Sequence, residues 1–277
     1  MVSRLLKLPN FRGKTRLIAT LLVLLPVTKS HYGPVMRVRR MDWTNWASIW
    51  GLYGDDLKRC IASLPKNGIF LDIGANTGIF SLVASRHLDE GGVVFSFEPN
   101  RDVFADLVDN VRRNRATNVF PFNAAVGPCS RLARLIVNTH HSGAGYIEPA
   151  GDGNVEAGIP IIVLDLSDLR VLLELAKERP TLCKIDVEGA ELGVLDSLNR
   201  SGLLPHIDAL YIEINENRLS RSGEQPGAIY ECLEQAGFTC VHGNRAIDTG
   251  TYDEIFYRAD TAAGTGVARN AANEMVT

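Results

Sequence analysis

Four acidic residues hold the positions from which this chain could do chemistry. Asp72, Glu98, Asp186 and Glu213 each close a short apolar run, and Gly74 and Gly78 follow the first of them in Leu71-Asp72-Ile73-Gly74-Ala75-Asn76-Thr77-Gly78. A strand that runs into a glycine-spaced turn and then a helix brings bare backbone close to a ligand, because glycine has no side chain in the way. The turn is not GxGxxG, since Asn76 holds the place of the second glycine, and it lacks the Lys-Ser/Thr ending of a phosphate-cradling loop. An acid at the strand end further disfavours a nearby pyrophosphate. About 20 residues after Gly78, Val93-Val94-Phe95-Ser96-Phe97 ends in Glu98-Pro99, which places a carboxylate where the vicinal hydroxyls of a ribose can donate to it. A nicotinamide-dependent oxidoreductase would use the same carboxylate, but the missing GxGxxG and the acidic Asp72 argue against it.

Further along, Asn123-Ala124-Ala125-Val126-Gly127 follows a third apolar run, and Lys184-Ile185-Asp186-Val187-Glu188-Gly189-Ala190-Glu191 follows a fourth, with Ile159-Pro160 through Leu164-Asp165 between them. Together with Asp72 to Gly78 and Phe97-Glu98-Pro99-Asn100, these blocks resemble the FkbM family of S-adenosylmethionine-dependent methyltransferases, over roughly Tyr53 to Tyr257. The first motif is shared by many methyltransferases; its combination with the DVEGAE block is the specific part. The resemblance implies S-adenosylmethionine as cofactor and a hydroxyl of a sugar, glycan or secondary metabolite as methyl acceptor. A non-catalytic scaffold that keeps the cofactor fold is a third class, and it is disfavoured by the intact Asp72, Gly74, Gly78, Glu98 and Asp186.

The elements that must position these residues follow from periodicity. Strands are expected near 69–73, 93–97, 119–125, 182–186, 208–214, 237–242 and 253–258, mostly separated by helical patterns, so the fold class is α/β, and the resemblance implies a Rossmann-like class I methyltransferase fold. Its seven-stranded sheet should be mostly parallel, with helices on both faces. The last strand should be antiparallel, because only a short polar loop links Phe238–Val241 to Glu254–Tyr257 and no crossover helix fits. In such sheets ligands bind beyond the carboxyl ends of the strands. Asp72 and Gly74 are assigned to the methionine half of the cofactor, the loop through Asn76 to Gly78 to closing around it, Glu98 to the ribose, and Asn123 with Ala124 to the adenine.

Methyl transfer from a sulfonium to a hydroxyl needs alignment, exclusion of water and a base for the hydroxyl proton. Asp186 and Glu188 share one face if the strand end stays extended, and they are the candidates nearest the acceptor, with Glu213 meeting it from the next strand. Glu188 has an alternative role as cap of a helix beginning near Gly189. His140 and His141 are further candidate bases, with an ordinary pKa of about 6.5. No HExxH, paired CxxC or EF-hand loop is present, so no metal is assigned.

Residues 128–160 form an insertion with two strand-like runs, Ala133–Val137 and Ile159–Val163, around the glycine-rich His140-His141-Ser142-Gly143-Ala144-Gly145-Tyr146, a place for acceptor recognition. Trp43, Trp46, Trp50 and Tyr53 are spaced as one face of a helix that either packs over the cofactor pocket as a lid or offers an aromatic platform to a sugar. The domain organisation is a basic N-terminal segment over 1–52, a methyltransferase domain over 53–260, and a tail over 261–277 that lacks any strong apolar period.

The 277 residues are long enough for one full-sized core. Residues 1–41 hold nine Lys or Arg and no acid, which leaves 20 basic against 32 acidic residues elsewhere. An acidic body argues against a nucleic-acid partner, while the basic segment suits contact with an anionic membrane surface as well as it suits solvent. Leu17–Val27 is apolar but short of the roughly 20 residues a membrane helix needs. Five cysteines without CxxC spacing suit reduced thiols, and together with an intracellular cofactor they point to a cytoplasmic protein.

Overall fold

The computed structural model describes residues 26–39, 42–89, 91–138, 141–147, 158–221, 223–242 and 250–258. The expectations for the tail, for most of Leu17–Val27 and for His140 lie outside them.

Val27–Lys29 (β1) and Val35–Arg37 (β2) pair as a small antiparallel hairpin that periodicity does not announce. The hairpin lies on the helix over Arg101–Asn114, where Asn114 Oδ1 accepts the Val35 N–H at 2.8 Å and Asn110 Oδ1 accepts that of Arg37 at 2.7 Å. Two of the basic residues of the N-terminal segment are thereby used inside the fold: Arg37 stands 3.3 Å from Asp106, and Arg39 pairs with Asp106 and with Asp42.

Trp43–Ile49 (α1) starts at Asp42, whose Oδ1 accepts the Asn45 N–H at 3.2 Å. The four aromatics do not share one helical face. The helix ends at Ile49 with Trp50 as its cap, and Gly51, at φ +65°, turns the chain before Tyr53; a Cβ there would meet the His31 ring at 2.4 Å. Trp46 is buried and donates its indole N–H to the Arg39 carbonyl at 2.7 Å, whereas Trp43 stays exposed.

After Asp55–Ser63 (α2), strand and helix alternate: Ile69–Ile73 (β3), Ile79–His87 (α3), Val93–Phe97 (β4), Arg101–Asn114 (α4) and Val119–Phe122 (β5). The expected third strand over 119–125 is divided. Phe122 ends β5, the amide of Asn123 donates to the Glu98 and Pro99 carbonyls at 2.9 and 3.1 Å, and Ala125–Val126 (β6) enters a second sheet. Pro121, which has no N–H to donate, is tolerated because β5 is an edge strand. Arg131–Ile136 (β7), Tyr146–Ile147 (β8) and Ile159–Leu164 (β9) complete that four-stranded sheet in the order β6-β9-β7-β8, so the two strand-like runs expected in the insertion pair with each other and with two further short strands.

The chain then returns through Arg170–Ala176 (α5), Thr181–Ile185 (β10), Glu191–Arg200 (α6), Ala209–Asn215 (β11), Glu216–Arg221 (α7), Pro226–Gln235 (α8), Phe238–His242 (β12) and Thr251–Arg258 (β13). Among the described residues the main sheet has seven strands in the order β12-β13-β11-β10-β3-β4-β5. Strands β11, β10, β3, β4 and β5 are mutually parallel, and only β13 runs against its neighbours. This is the class I methyltransferase arrangement. Every residue of β3 and of β10 is buried, as a central parallel strand requires.

One face of the sheet packs Phe70, Val94, Leu182 and Tyr211 against Trp46, Leu57, Ile61 and Leu82 of the first helices. The other packs Leu71, Ile73, Phe97, Ile185 and Ile212 against Val194, Leu195, Leu198 and Ile229. Each such side chain contributes roughly 1.5–3 kcal/mol by leaving water, so the sheet is the rigid part from which the loops of the site project.

Candidate active site

From β3 the chain proceeds outward through β4 to β5, then returns to β10 and proceeds the other way to β11. The order therefore reverses between β3 and β10, and the crevice at their carboxyl ends is where an open parallel sheet offers a site. A cleft of about 1110 Å³, its open mouth included, lies there. Its floor is Gly74, at φ +82°, backed so closely by the Asp186 carbonyl that a Cβ would stand 1.8 Å from that oxygen. Asn76 adopts φ +50°, a conformation asparagine tolerates because its short side chain bonds locally; here its Oδ1 accepts the Thr77 N–H at 2.8 Å. That explains an asparagine where the sequence pattern has a glycine.

Glu98 lies on the cleft wall beside Pro99 and Asn100. Its two oxygens accept the backbone N–H groups of Asn76 and Asn100 at 2.9 and 2.8 Å, which leaves one lone-pair direction on each for a pair of hydroxyl donors. Burial is the largest influence on this carboxyl and, against those two hydrogen bonds, pushes its pKa up to about 7. Next to it, Ile79, Phe97, Ala124, Val126 and Leu135 form an apolar patch that suits a planar base. A ribose acceptor, an apolar slot and a bare glycine turn fit a nucleoside cofactor with a zwitterionic tail.

On the far side of the cleft, Asp186, Glu188 and Glu213 come together as expected, and Asp253 joins them. Glu213 and Asp253 are register partners across β11 and β13. Repulsion from Asp186, then burial and repulsion from Asp253 and Glu188, raise the Glu213 pKa well above the ordinary value. Burial and Asp186 push Glu188 up to about 7, and burial pushes Asp253 up to about 6. Tyr53 leans over the group: its ring is part-exposed, but its hydroxyl end is crowded, and burial followed by Asp186 hold the phenol protonated. A second cavity shares Tyr53, Gly54, Tyr211, Glu213 and Asp253 with the cleft and adds Asp55, Asp56 and Tyr252.

Several expected roles are relocated. Asp72 is not on the cleft wall; it lies behind it, fully buried, accepting the Ser81 hydroxyl at 2.5 Å and facing the Lys184 ammonium at 3.3 Å. Asn123 does not line the cleft either, because its amide is committed to the Glu98 and Pro99 carbonyls, whereas Ala124 does line it. Gly78, at φ +82°, is the cap of α3 and its space abuts Leu107. The extended strand end assumed for Glu188 is absent: β10 stops at Ile185 and Glu188 has φ +55°. Nor does Glu188 cap α6. The N-cap of α6 is Ala190, with no side-chain cap hydrogen bond; Glu191 accepts the Gly189 N–H at 2.8 Å just ahead of the helix, while Glu188 accepts the Asn215 amide at 3.0 Å and lies 3.9 Å from Arg218. His141 is exposed and is not among the residues lining the cleft. All five cysteines are free, and Cys183 is buried in β10. Among the described residues no three His, Cys, Asp or Glu side chains are grouped to hold a metal ion.

Two participants are absent from the expected set. Lys184 is 5 % exposed in the middle of β10, and its signal was a charge inside an otherwise apolar strand. Asp253 could be found only from the β11–β13 register.

Residues 72–240 match the methyltransferase FkbM domain. The chain is 25 % identical over 220 residues to the AMB antimetabolite synthetase AmbE of Pseudomonas aeruginosa, a match covering 68 % of this chain and 10 % of that protein. It is 24 % identical over 192 residues to the hexuronic acid methyltransferase AglP of Haloferax volcanii, covering 66 % of this chain and 68 % of AglP. Among solved structures it is similar to M. jannaschii TYW2 in complex with AdoMet, at 12 % identity and a TM-score of 0.44, over 84 % of this chain and 85 % of that one. The match spans well over half of the sequence and includes the Asp72–Gly78 turn, Glu98 and the Asp186–Glu191 block. The chain belongs to the FkbM methyltransferase family.

Proposed function

We propose that the protein is an S-adenosylmethionine-dependent O-methyltransferase whose acceptor is a hydroxyl of a sugar, glycan or small metabolite. The observation that carries this reading is the junction of two cavities: the cleft with the ribose-accepting Glu98 and the chamber lined by Tyr53, Tyr211 and Asp253 share a wall at Glu213. Bound in the cleft, the cofactor supplies an electrophilic methyl group on a sulfonium.

The chain's own residues do the rest. Gly74 and the backbone of Ala75 give close approach to the cofactor tail, Glu98 holds the ribose, and Ala124 and Leu135 enclose the base. Asp186 faces the junction and orients what enters it. Glu213 has no hydrogen-bond donor among the described residues, and its proton affinity is raised by Asp186, by burial and by Asp253, so its carboxylate is suited to receive a hydroxyl proton. In the chamber, Asp55, Asp56 and Asp253 are acceptors for further hydroxyls, and the tyrosine rings offer faces for a sugar. The name of AglP, a hexuronic acid methyltransferase, supports the same acceptor class.

The test is incubation of the purified protein with S-adenosylmethionine and a panel of uronic acids, neutral hexoses and amino sugars, followed by mass spectrometry and NMR of the products. A methyl ether on a sugar oxygen is the expected product. Methylation only at nitrogen would overturn the O-methyl assignment.

A further inference from the structure

Lys184 does more than neutralise a buried acid, and its contacts show why. In the sheet it is the direct register partner of Asp72 on β3 and of Tyr211 on β11, so its side chain rises from the sheet between these two, toward the carboxyl ends of the strands. Its ammonium makes three contacts: the Gly74 carbonyl at 2.8 Å, Asp186 Oδ2 at 3.2 Å and Asp72 Oδ1 at 3.3 Å. The contacts with Asp72 and Asp186 are both ion pairs, and Asp72 Oδ1 receives no hydrogen bond of good geometry. The Gly74 carbonyl, by contrast, is met at ordinary hydrogen-bond length. A counter-ion for Asp72 would need only that carboxylate, whereas this ammonium also reaches the Gly74 carbonyl and Asp186, the two groups that flank the cleft.

We infer that Lys184 is a positioning residue that ties the Gly74 turn to Asp186 and so sets the cofactor-binding turn against the acceptor-facing carboxylate. The inference rests on the cofactor reading of the cleft given above. The bracing is continuous: the Gly74 and Ala75 N–H groups donate to the Phe97 carbonyl at 3.0 and 2.9 Å, and the Asp186 N–H donates to the Ile73 carbonyl at 3.1 Å. The ends of β3, β4 and β10 are therefore joined by backbone, and Lys184 closes the one remaining gap, between the Gly74 carbonyl and the Asp186 side chain. Burial opposes the ammonium, but Asp186 and then Asp72 outweigh it, so the lysine stays charged. Around it stand Glu98 from the end of β4, Glu213 from β11, Asp253 from β13 and the Tyr53 hydroxyl, all feeling its charge.

A counter-ion role toward Asp72 and a positioning role separate in an Asp72→Asn background, which removes the fully buried carboxylate that Lys184 faces on β3. The experiment compares D72N with D72N/K184M by thermal unfolding and by isothermal titration with S-adenosylhomocysteine, with wild type alongside. The positioning role predicts that the two variants melt at similar temperatures and that the second binds S-adenosylhomocysteine about tenfold or more weakly than the first. Equal affinities would overturn the inference and leave Lys184 as a counter-ion. If D72N/K184M does not fold, D72N/K184Q carries the same comparison: its amide can still donate to the Gly74 carbonyl but cannot pair with Asp186, so an affinity equal to that of D72N again overturns the bridge. If wild type fails to bind S-adenosylhomocysteine at all, the cofactor reading has fallen and the inference with it, an outcome distinct from equal binding by the variants.

Discussion

Glu98 Oε2 accepts the backbone N–H of Asn76 at 2.9 Å, so the acid at the end of one strand is fastened to the turn at the end of its neighbour. Any ligand held by that carboxylate is held in register with the Gly74 turn. Glu98→Ala removes two charge-assisted acceptors and is expected to weaken S-adenosylhomocysteine binding about 10- to 100-fold, measured by titration calorimetry.

The same group gives a pH dependence with a definite sign. Its folded pKa is raised, from 4.5 to about 7, chiefly by burial, so the folded protein binds the proton more tightly than the unfolded chain. Its contribution to stability is therefore full below 4.5 and is lost as pH rises toward about 7. Relative to Glu98→Gln, wild type should lose roughly 3 kcal/mol across that window in denaturant titrations. Cofactor binding runs the other way: ribose hydroxyls favour the ionised carboxylate, so affinity should tighten as pH rises through about 7.

Gly74→Ala should be severe. The position has φ +82° and its Cβ would stand 1.8 Å from the Asp186 carbonyl, which is backbone and cannot step aside. A melting temperature lowered by an amount corresponding to a few kcal/mol is expected, together with loss of S-adenosylhomocysteine binding. A protein of unchanged stability that still binds would contradict the packing of the turn.

Asp186→Asn keeps the side chain's shape and its carbonyl acceptor toward Lys184 while removing its charge. Turnover should fall at least about tenfold, with cofactor affinity changed by no more than a few-fold, because the charge is expected to act on the acceptor side of the cleft. Steady-state kinetics beside calorimetry reads the two separately.

Arg218 reaches across from α7 to the insertion, donating to the Ala144 carbonyl at 3.0 Å and lying 4.6 Å from the centre of the Tyr146 ring. Arg218→Ala should free that loop and raise the acceptor KM by about 3- to 30-fold, with a smaller effect on cofactor affinity.

Much of this architecture was legible in the residues. The runs at Ile69–Ile73 and Val93–Phe97 match their strands, because a buried parallel strand leaves a mostly apolar stretch, and Pro226 and Gly237 bracket α8 as a start and a stop. The convergence of Asp186 and Glu213 followed from their places at strand ends, whereas Glu188 joins them from a turn at φ +55° beyond the end of β10. The failures have a common origin in contacts distant along the chain. By sequence alone Asp72 faces a ligand; in the fold Lys184, 112 positions later, stands in front of it at 3.3 Å. The aromatic helix stops at Ile49 because Gly51 packs under His31, a contact no helical period encodes. Of the four-stranded sheet the sequence displays only β7 and β9, because β6 and β8 are two residues each and have no period of their own.

The most direct test of the central claim is isothermal titration of wild-type protein with S-adenosylmethionine and S-adenosylhomocysteine, with NAD as the control ligand. Saturable binding of both sulfur compounds at one site, weakened in Glu98→Ala, with no heat from NAD, is the predicted result. Binding of NAD in their place, or sulfur-compound binding that is indifferent to Glu98, would contradict the assignment of the cleft.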